Sequence, residues 1–479
     1  MEWWNDLWLN ESFASWMGDK AVAELYPEWQ MWTQFVSQDT NAALSLDGLR
    51  NSHPIEAEVK DPSEIRELFD AISYSKGGSI LRMLEEFLGE EIFRSGLRDY
   101  IAKNQYGNAE TKDLWASLEH ASGQPVTRIM DTWTKKMGYP LLRAEIDRDP
   151  VQPSLKVFQK RFLYDNVLYP FSKEEDTWEV PVSVISENTG KETSFLLTEN
   201  DSQIPLATDT ASGWIKLNGL QTGFYRVNYS VEEWERLSVA IRNLELPPTD
   251  RLGLQNDAYA LMRSGEAPAT LFLSIADSYK GETDASVWGD LSANLRGLES
   301  LVSGESFLPK LHNAAMFLFS QITKSVGWDP KPGEGHLDAL LRSTVLSQGG
   351  YYGDEAILIE ANSRFKNFLN DPTSLPPDLR GVVFGLVAQD SDQDTYNVLW
   401  DLYHSADLHE EKMRILGALT RSRNPDLLKD TLECSLGSEV RAQDTPLVVV
   451  STAGNPVGRN IAWEFLKEKK RLYWELLVV

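Results

Sequence analysis

The chain has 479 residues, 42% of them hydrophobic with 16 Trp, 16 Tyr and 18 Phe, which is too much for one ordinary domain and enough for several cores. A formal charge of −26 repels nucleic-acid phosphate and anionic lipid, and suits basic peptide partners instead. A single cysteine, Cys434, excludes an internal disulfide and a cysteine-rich metal site, and it fits a reducing, cytoplasmic setting.

The first region, residues 1–138, carries the helical period. Ile80, Leu81, Leu84, Phe87 and Leu88 recur at three-to-four spacing, and Gly89 is placed to end that helix as its C′ residue. A second helix is expected from about Glu90 with Ile92, Phe93, Leu97, Tyr100 and Ile101 on one face. Thr111 or Asn108 is expected to cap a third around Leu114, Trp115 and Leu118. Pro125 opens a fourth that ends at Lys135-Lys136-Met137-Gly138, where the lysines suit the helix dipole.

After Tyr139-Pro140 the period drops to two. Val180, Val182 and Val184 alternate with Pro181 and Ser183, and two short aromatic or β-branched runs follow at 214–218 and 224–229. Thr189-Gly190, Asn200-Asp201 and Asn218-Gly219 read as turns, so residues 139–230 are expected to form a small β-sandwich. Residues 231–479 return to the helical period in segments divided by Gly, Pro or Asp, ten of them between Val231 and Ser422. Without a strict repeat, these predict an irregular right-handed helical array. No apolar run approaches the roughly 18 residues that span a bilayer, and no basic n-region with an apolar stretch opens the chain.

The chemistry-bearing motif lies at the start: Trp3-Trp4-Asn5-Asp6-Leu7-Trp8-Leu9-Asn10-Glu11-Ser12-Phe13-Ala14. It resembles the glutamate-ligand segment of the gluzincin (M1-type) zinc aminopeptidases, the family of puromycin-sensitive and alanyl aminopeptidases. Further matches lie in order at Asp70-Ala71-Ile72-Ser73-Tyr74-Ser75-Lys76-Gly77, Gly223-Phe224-Tyr225-Arg226-Val227, Asp250-Arg251-Leu252-Gly253, Arg441-Ala442-Gln443-Asp444 and Gly458-Arg459-Asn460. The resemblance implies a multidomain α+β protein: the later half of a thermolysin-like catalytic domain, a small β-sandwich and a C-terminal irregular α-helical, HEAT-like array. It also implies release of N-terminal residues from peptides at a zinc ion, with Glu11 as a metal ligand and Tyr74 as the catalytic phenol that steadies the oxyanion. Lys76 reads either as a further positive group or as a solvated lysine at a helix start. Glu11 should sit on a helix beginning near Leu9, with Trp8 and Phe13 turned into the core.

In that family a helical H-E-x-x-H supplies two zinc ligands and the general base, and none of the six histidines here stands in such an arrangement. His404 and His409 are five apart and miss the spacing that puts two imidazoles on one helical face, so they read as surface residues. His53 lies before a proline in a loop, and His120 near a helix end. The family's G-x-M-E-N segment is absent too. With only ten residues ahead of Glu11, the chain is expected to be an N-terminally truncated portion of such an enzyme, Met1 an internal methionine, its last helices cut short, and its activity alone lost. The alternative is a non-catalytic peptide- or protein-binding module made of the sandwich and the array.

Overall fold

A computed structural model describes residues 1, 3–169, 176–187 and 193–477. The chain divides into two compact units, Met1–Glu282 and Thr283–Val479.

The first unit opens with helices because its apolar residues fall at helical spacing around bulky aromatics. These are α1 (Trp8–Leu25), α2 (Met31–Phe35), α3 (Asn41–Asp47), α4 (Gly77–Leu88), α5 (Glu90–Lys103), α6 (Thr111–Ser122) and α7 (Val126–Thr134). Two π-helical turns, Val36–Thr40 and Ile72–Lys76, interrupt the set and pack against each other. Gly89, at φ 83°, ends α4 as expected. In α5 only Phe93 and Gly96 are fully buried, while Ile92 and Ile101 stay exposed. That face is narrower than its apolar spacing suggests. Neither Thr111 nor Asn108 caps α6: Glu110 is the N-cap, and its N–H donates to the Asp113 carboxylate at 2.9 Å. The Thr111 hydroxyl is engaged elsewhere, donating to Asp6 Oδ1 at 2.7 Å.

The period-two region folds as two sheets. One has the order β5 (Asp201–Pro205), β2 (Ser154–Arg161), β1 (Pro140–Asp147), β7 (Arg226–Tyr229); the other is β4 (Thr193–Leu197), β3 (Val180–Ser186), β6 (Ile215–Leu217). Antiparallel pairing sets Leu142 opposite Gln159 and Val184 opposite Leu217, while β1 and β7 run parallel. Val180, Val182 and Val184 all point inward. Asn218 takes the left-handed conformation at φ 61°, so Asn218-Gly219 is the turn its sequence predicts. Asn200-Asp201 leads from one sheet to the other, and Thr189-Gly190 lies outside the described residues.

Three helices complete this unit: α8 (Val231–Arg242), α9 (Pro248–Ser264) and α10 (Ala269–Asp277). Most of α9 is buried, polar residues included, because its carboxylates answer cations from the strands. Asp257 pairs with Arg226 at 3.2 Å and accepts from the Val227 N–H at 3.0 Å, and Asp250 meets Lys216 at 2.8 Å.

The second unit is helical throughout its described residues: α11 (Ala285–Leu301), α12 (Leu308–Val326), α13 (His336–Tyr351), α14 (Glu355–Asn370), α15 (Pro377–Gln389), α16 (Gln393–Ser405), α17 (His409–Leu419), α18 (Pro425–Ser435), α19 (Thr445–Gly454) and α20 (Arg459–Leu477). Alternate helices pack side by side, α11 on α13, α13 on α15, α15 on α17 and α17 on α19, and even-numbered helices pack onto neighbours in that layer. This is the arrangement of a helical array, each pair covering the apolar face of the next. Its core runs through Phe365, Phe384, Leu399, Ile415 and Leu432. Aspartate or asparagine caps at Asp284, Asp354, Asp392 and Asn424 start four of the helices.

Candidate active site

The tryptophan motif folds into a short 3-10 turn and then α1. Trp8 is fully buried and stacks on Trp115 at 5.6 Å between ring centres, with its indole N–H donating to Thr111 Oγ1 at 3.0 Å. Thr111 in turn is held by buried Asp6 through its N–H and hydroxyl. The motif's aromatic and acidic residues thus fix where α1 begins. Phe13 is only half-buried; after Trp8 and Leu9 the buried positions are Ser12 and Trp16. One turn separates these buried positions, and the intervening Glu11 stays half-buried in the first turn, where the helix dipole favours a carboxylate.

Tyr74 reaches the same place from the π-helical turn. Asp70 Oδ1 caps that turn by accepting from the N–H groups of Ile72 at 2.8 Å and Ser73 at 3.2 Å. Its other oxygen meets His53 Nε2 at 2.9 Å, while His53 Nδ1 lies 2.8 Å from the Pro54 carbonyl. The hydrogen bond to Asp70 raises the His53 pKa above the usual imidazole value, against the opposing effect of burial. The turn is pinned to α1 by the Ser12 hydroxyl, which donates to the Ser73 carbonyl at 2.6 Å. A Cβ on Gly77 would sit 1.9 Å from Ser12 Oγ, so glycine is what allows α1 and α4 to approach this closely.

With both elements so placed, Tyr74 and Glu11 face each other. The neighbouring Glu11 carboxylate, followed by partial burial, pushes the phenol pKa above its ordinary value and keeps the ring hydroxyl protonated. Phe69 lies beside Tyr74 at 6.4 Å and Trp4 beside Phe69 at 6.5 Å, forming an aromatic border. Further along α1, burial and then the nearby Asp39 carboxylate raise the Asp19 pKa to about 6.

Lys76 is neither a site cation nor a solvated residue. Its side chain is fully buried, pairs with equally buried Asp47 at 2.8 Å, and donates to the carbonyls of Gly138 and Lys136 at 3.2 and 3.3 Å. It locks the π-helical turn from behind. Among the histidines, His404 lies on the surface beside Glu439 and His409 sits 3.5 Å from Asp444. His120 occupies the exposed last turn of α6. Sequence reasoning passed over the supporting roles of His53, Asp70 and Ser12; Gly77 within the Asp70–Gly77 motif was the local signal of a close approach.

The residues 1–133 match the Peptidase family M1 domain, and residues 214–475 match the ERAP1-like C-terminal domain. The chain belongs to the M1 aminopeptidase family. It is 38% identical to Aminopeptidase M1-A of Oryza sativa subsp. japonica over 482 residues, covering 98% of this chain and 53% of that protein. Aminopeptidase M1 of Arabidopsis thaliana is 38% identical over 497 residues, covering 100% and 55%. Puromycin-sensitive aminopeptidase of Caenorhabditis elegans is 33% identical over 473 residues, covering 98% and 50%. The chain spans about half the length of the curated relatives it matches.

M1 membership implies zinc, and the donor set of this chain falls short of it. Glu11 is one carboxylate with a phenol for a neighbour, and among the described residues no group of three His, Cys, Asp or Glu is placed to hold a metal ion. A catalytic zinc requires three protein ligands. The residues of this chain alone do not fit it. No helix among the described residues is long and apolar enough to cross a membrane.

Proposed function

We propose that this chain is the C-terminal portion of a zinc metalloaminopeptidase that releases N-terminal amino acids from peptides. Glu11 is then the carboxylate ligand and Tyr74 the donor to the oxyanion. The observation that carries the reading is the apposition of Glu11 and Tyr74, brought from distant points of the sequence by the Ser12–Ser73 clasp and the Gly77 contact. A phenol held neutral keeps its proton for an oxygen that gains charge. By this reading residues 1–138 are the catalytic-domain half, 139–230 the sandwich and 231–479 the array, although the first three of its helices, α8 to α10, belong to the first compact unit. The net charge of −26 favours basic peptides at long range, and the lone cysteine supports a cytoplasmic setting.

Alone, the chain does not turn over peptides, because its sequence lacks H-E-x-x-H. An aminoacyl-coumarin substrate with added zinc checks this: background rates are expected, and robust chelator-sensitive turnover would overturn it. In a longer chain carrying an upstream in-frame H-E-x-x-H, activity is expected to appear. There Tyr74→Phe should cost on the order of 10² in kcat, as the loss of one oxyanion donor does. Unchanged kcat would remove Tyr74 from the chemistry.

A second reading, a non-catalytic peptide- or protein-binding module of sandwich and array, is favoured by the same absence of the histidine pair. The codons immediately upstream of Met1 discriminate the two.

A further inference from the structure

The layer of alternate helices in the second unit carries a groove made of two adjoining clefts, about 620 and about 710 Å3, that share Arg296, Ser347, Gln348, Gly417 and Arg421 in their walls. It runs from α11 across α13, α15 and α17 to α19. Its charge opposes that of the whole chain: Arg296, Arg414, Arg421 and Arg423 line it, against Glu299 and Asp378.

Most of these charges are already committed. Glu299 is taken by Arg296 at 2.9 Å, His312 at 2.8 Å and the Tyr351 hydroxyl at 2.6 Å. Arg414 pairs with Glu410 and Glu411, and Arg423 with Asp390. Arg421 differs. Among the described residues it has no carboxylate partner, only the Ser347 hydroxyl at 3.3 Å. It keeps surface open to the groove while protein crowds it on its other sides, and Arg296 stands close enough to repel it. A Cβ on Gly385 would collide with its guanidinium, so that glycine is what lets the side chain lie across α15. Arg296 is itself oriented, stacked over the Tyr351 ring at 3.5 Å. Of the groove's carboxylates only the exposed Asp378, which lines the first cleft alone, also lacks an ion-pair partner among the described residues; where the two clefts join, two guanidiniums, one of them without a carboxylate, form a seat for an oxyanion group.

Two further observations select the carrier of that group. The Oε1 of Gln348, in the shared wall, is buried without a donor, a need that a peptide N–H meets and a bare anion does not. Beside the arginines the groove offers apolar surface from Leu308, Leu386, Met413 and Val457. We propose that this groove binds an acidic polypeptide segment in extended form, with one side-chain carboxylate seated between Arg296 and Arg421. The negative field of the remaining molecule does not forbid this, since at physiological salt it is screened within about 8 Å while the two guanidiniums act in contact.

Fluorescence anisotropy on the 479-residue chain tests it, using a short labelled peptide that alternates Glu with Leu and its Gln and Lys counterparts. The Glu peptide is expected to bind, and the Gln and Lys peptides to bind at least about tenfold more weakly, the worth of one charge-assisted bond. Arg421→Gln should weaken the Glu peptide about tenfold as well, whereas Arg364→Gln on α14 should leave it unchanged. Circular dichroism establishes that each variant is folded. Should Arg421→Gln not fold, Ser347→Glu, which sets a competing carboxylate against Arg421, is expected to abolish binding. Equal affinity for Glu and Gln peptides, no binding at all, or insensitivity to these substitutions would overturn the proposal. So would saturable binding of inorganic phosphate without binding of the Glu peptide, which would make the groove a small-anion site. No turnover is read, so the outcome stands apart from the proposed peptidase role.

Discussion

The two units solve the problem of holding their parts together by different means. The first joins helices, π-helical turns and strands that share no common spacing, and it does so with buried charge: Lys76 with Asp47, Lys216 with Asp250, Arg226 with Asp257 and Arg251 with Glu282, each pair almost wholly removed from water. The second repeats one kind of contact, helix against helix, and its apolar seam does the work; pairs such as Arg364–Asp329 and Arg414–Glu410 lie open to solvent. Irregular elements lack the periodic faces that would place them, and a buried ion pair has direction and reach that an apolar contact lacks. A regular array needs neither.

The comparison breaks most easily at Lys76. Asp47→Asn leaves a buried ammonium without its counter-charge and should cost about 3–5 kcal/mol in urea unfolding followed by circular dichroism. The double substitution with Lys76→Met should recover much of that loss. If the single variant costs no more than a surface pair, buried charge is not what holds the first unit. Gly77→Ala sharpens the point from the side of packing. The added Cβ meets Ser12 Oγ, and overpacking of this kind costs about 1–3 kcal/mol. Ser12→Gly in the same chain should relieve the clash although it removes the bond to Ser73.

Asp19 gives a smaller, pH-dependent effect. Its pKa is raised to about 6 by burial and by Asp39, so between the unfolded value near 4 and that figure the folded chain binds more protons than the unfolded one. Stability through this group is therefore full at low pH and lost as pH rises through about 6. Asp19→Asn should stabilise the chain at pH 7 by up to about 1 kcal/mol, allowing for solvent screening of a half-buried group, and should change nothing near pH 4. A gain of equal size at both pH values would place its origin elsewhere. Smallest of all, Asp329→Asn in the array should shift stability by less than about 1 kcal/mol.

The same contrast explains what could be read before folding. In the array, helix after helix announces itself by spacing and cap: the ten segments expected between Val231 and Ser422 fall on helices, α12 at Leu308–Val326 among them, and Asp354 caps α14. Strands β1, β2, β4 and β5 are not individually legible. Half of the inward positions of β2 are Gln159 and Arg161, and β5 alternates with almost no apolar residue. Glu11 and Tyr74 are picked out by their motifs, but that they come near each other depends on Ser12, Gly77 and a π-helical turn, none of which has a sequence period. Lys76 was misjudged because its partner Asp47 stands in another helix. Ile92 and Ile101 follow the apolar spacing, yet nothing in the described structure covers them.

The π-helical turn at Ile72–Lys76 has one more consequence. Closing a turn with the Lys76 N–H bonded to the Ala71 carbonyl fits one residue more than an α-helix would use. Removing a single residue there would let the segment wind on as regular helix and swing what precedes it by about 100° relative to α4. Tyr74 would then face another direction, although the tyrosine itself would still stand in the sequence. At this place the length of the chain is as much a part of the site as its side chains.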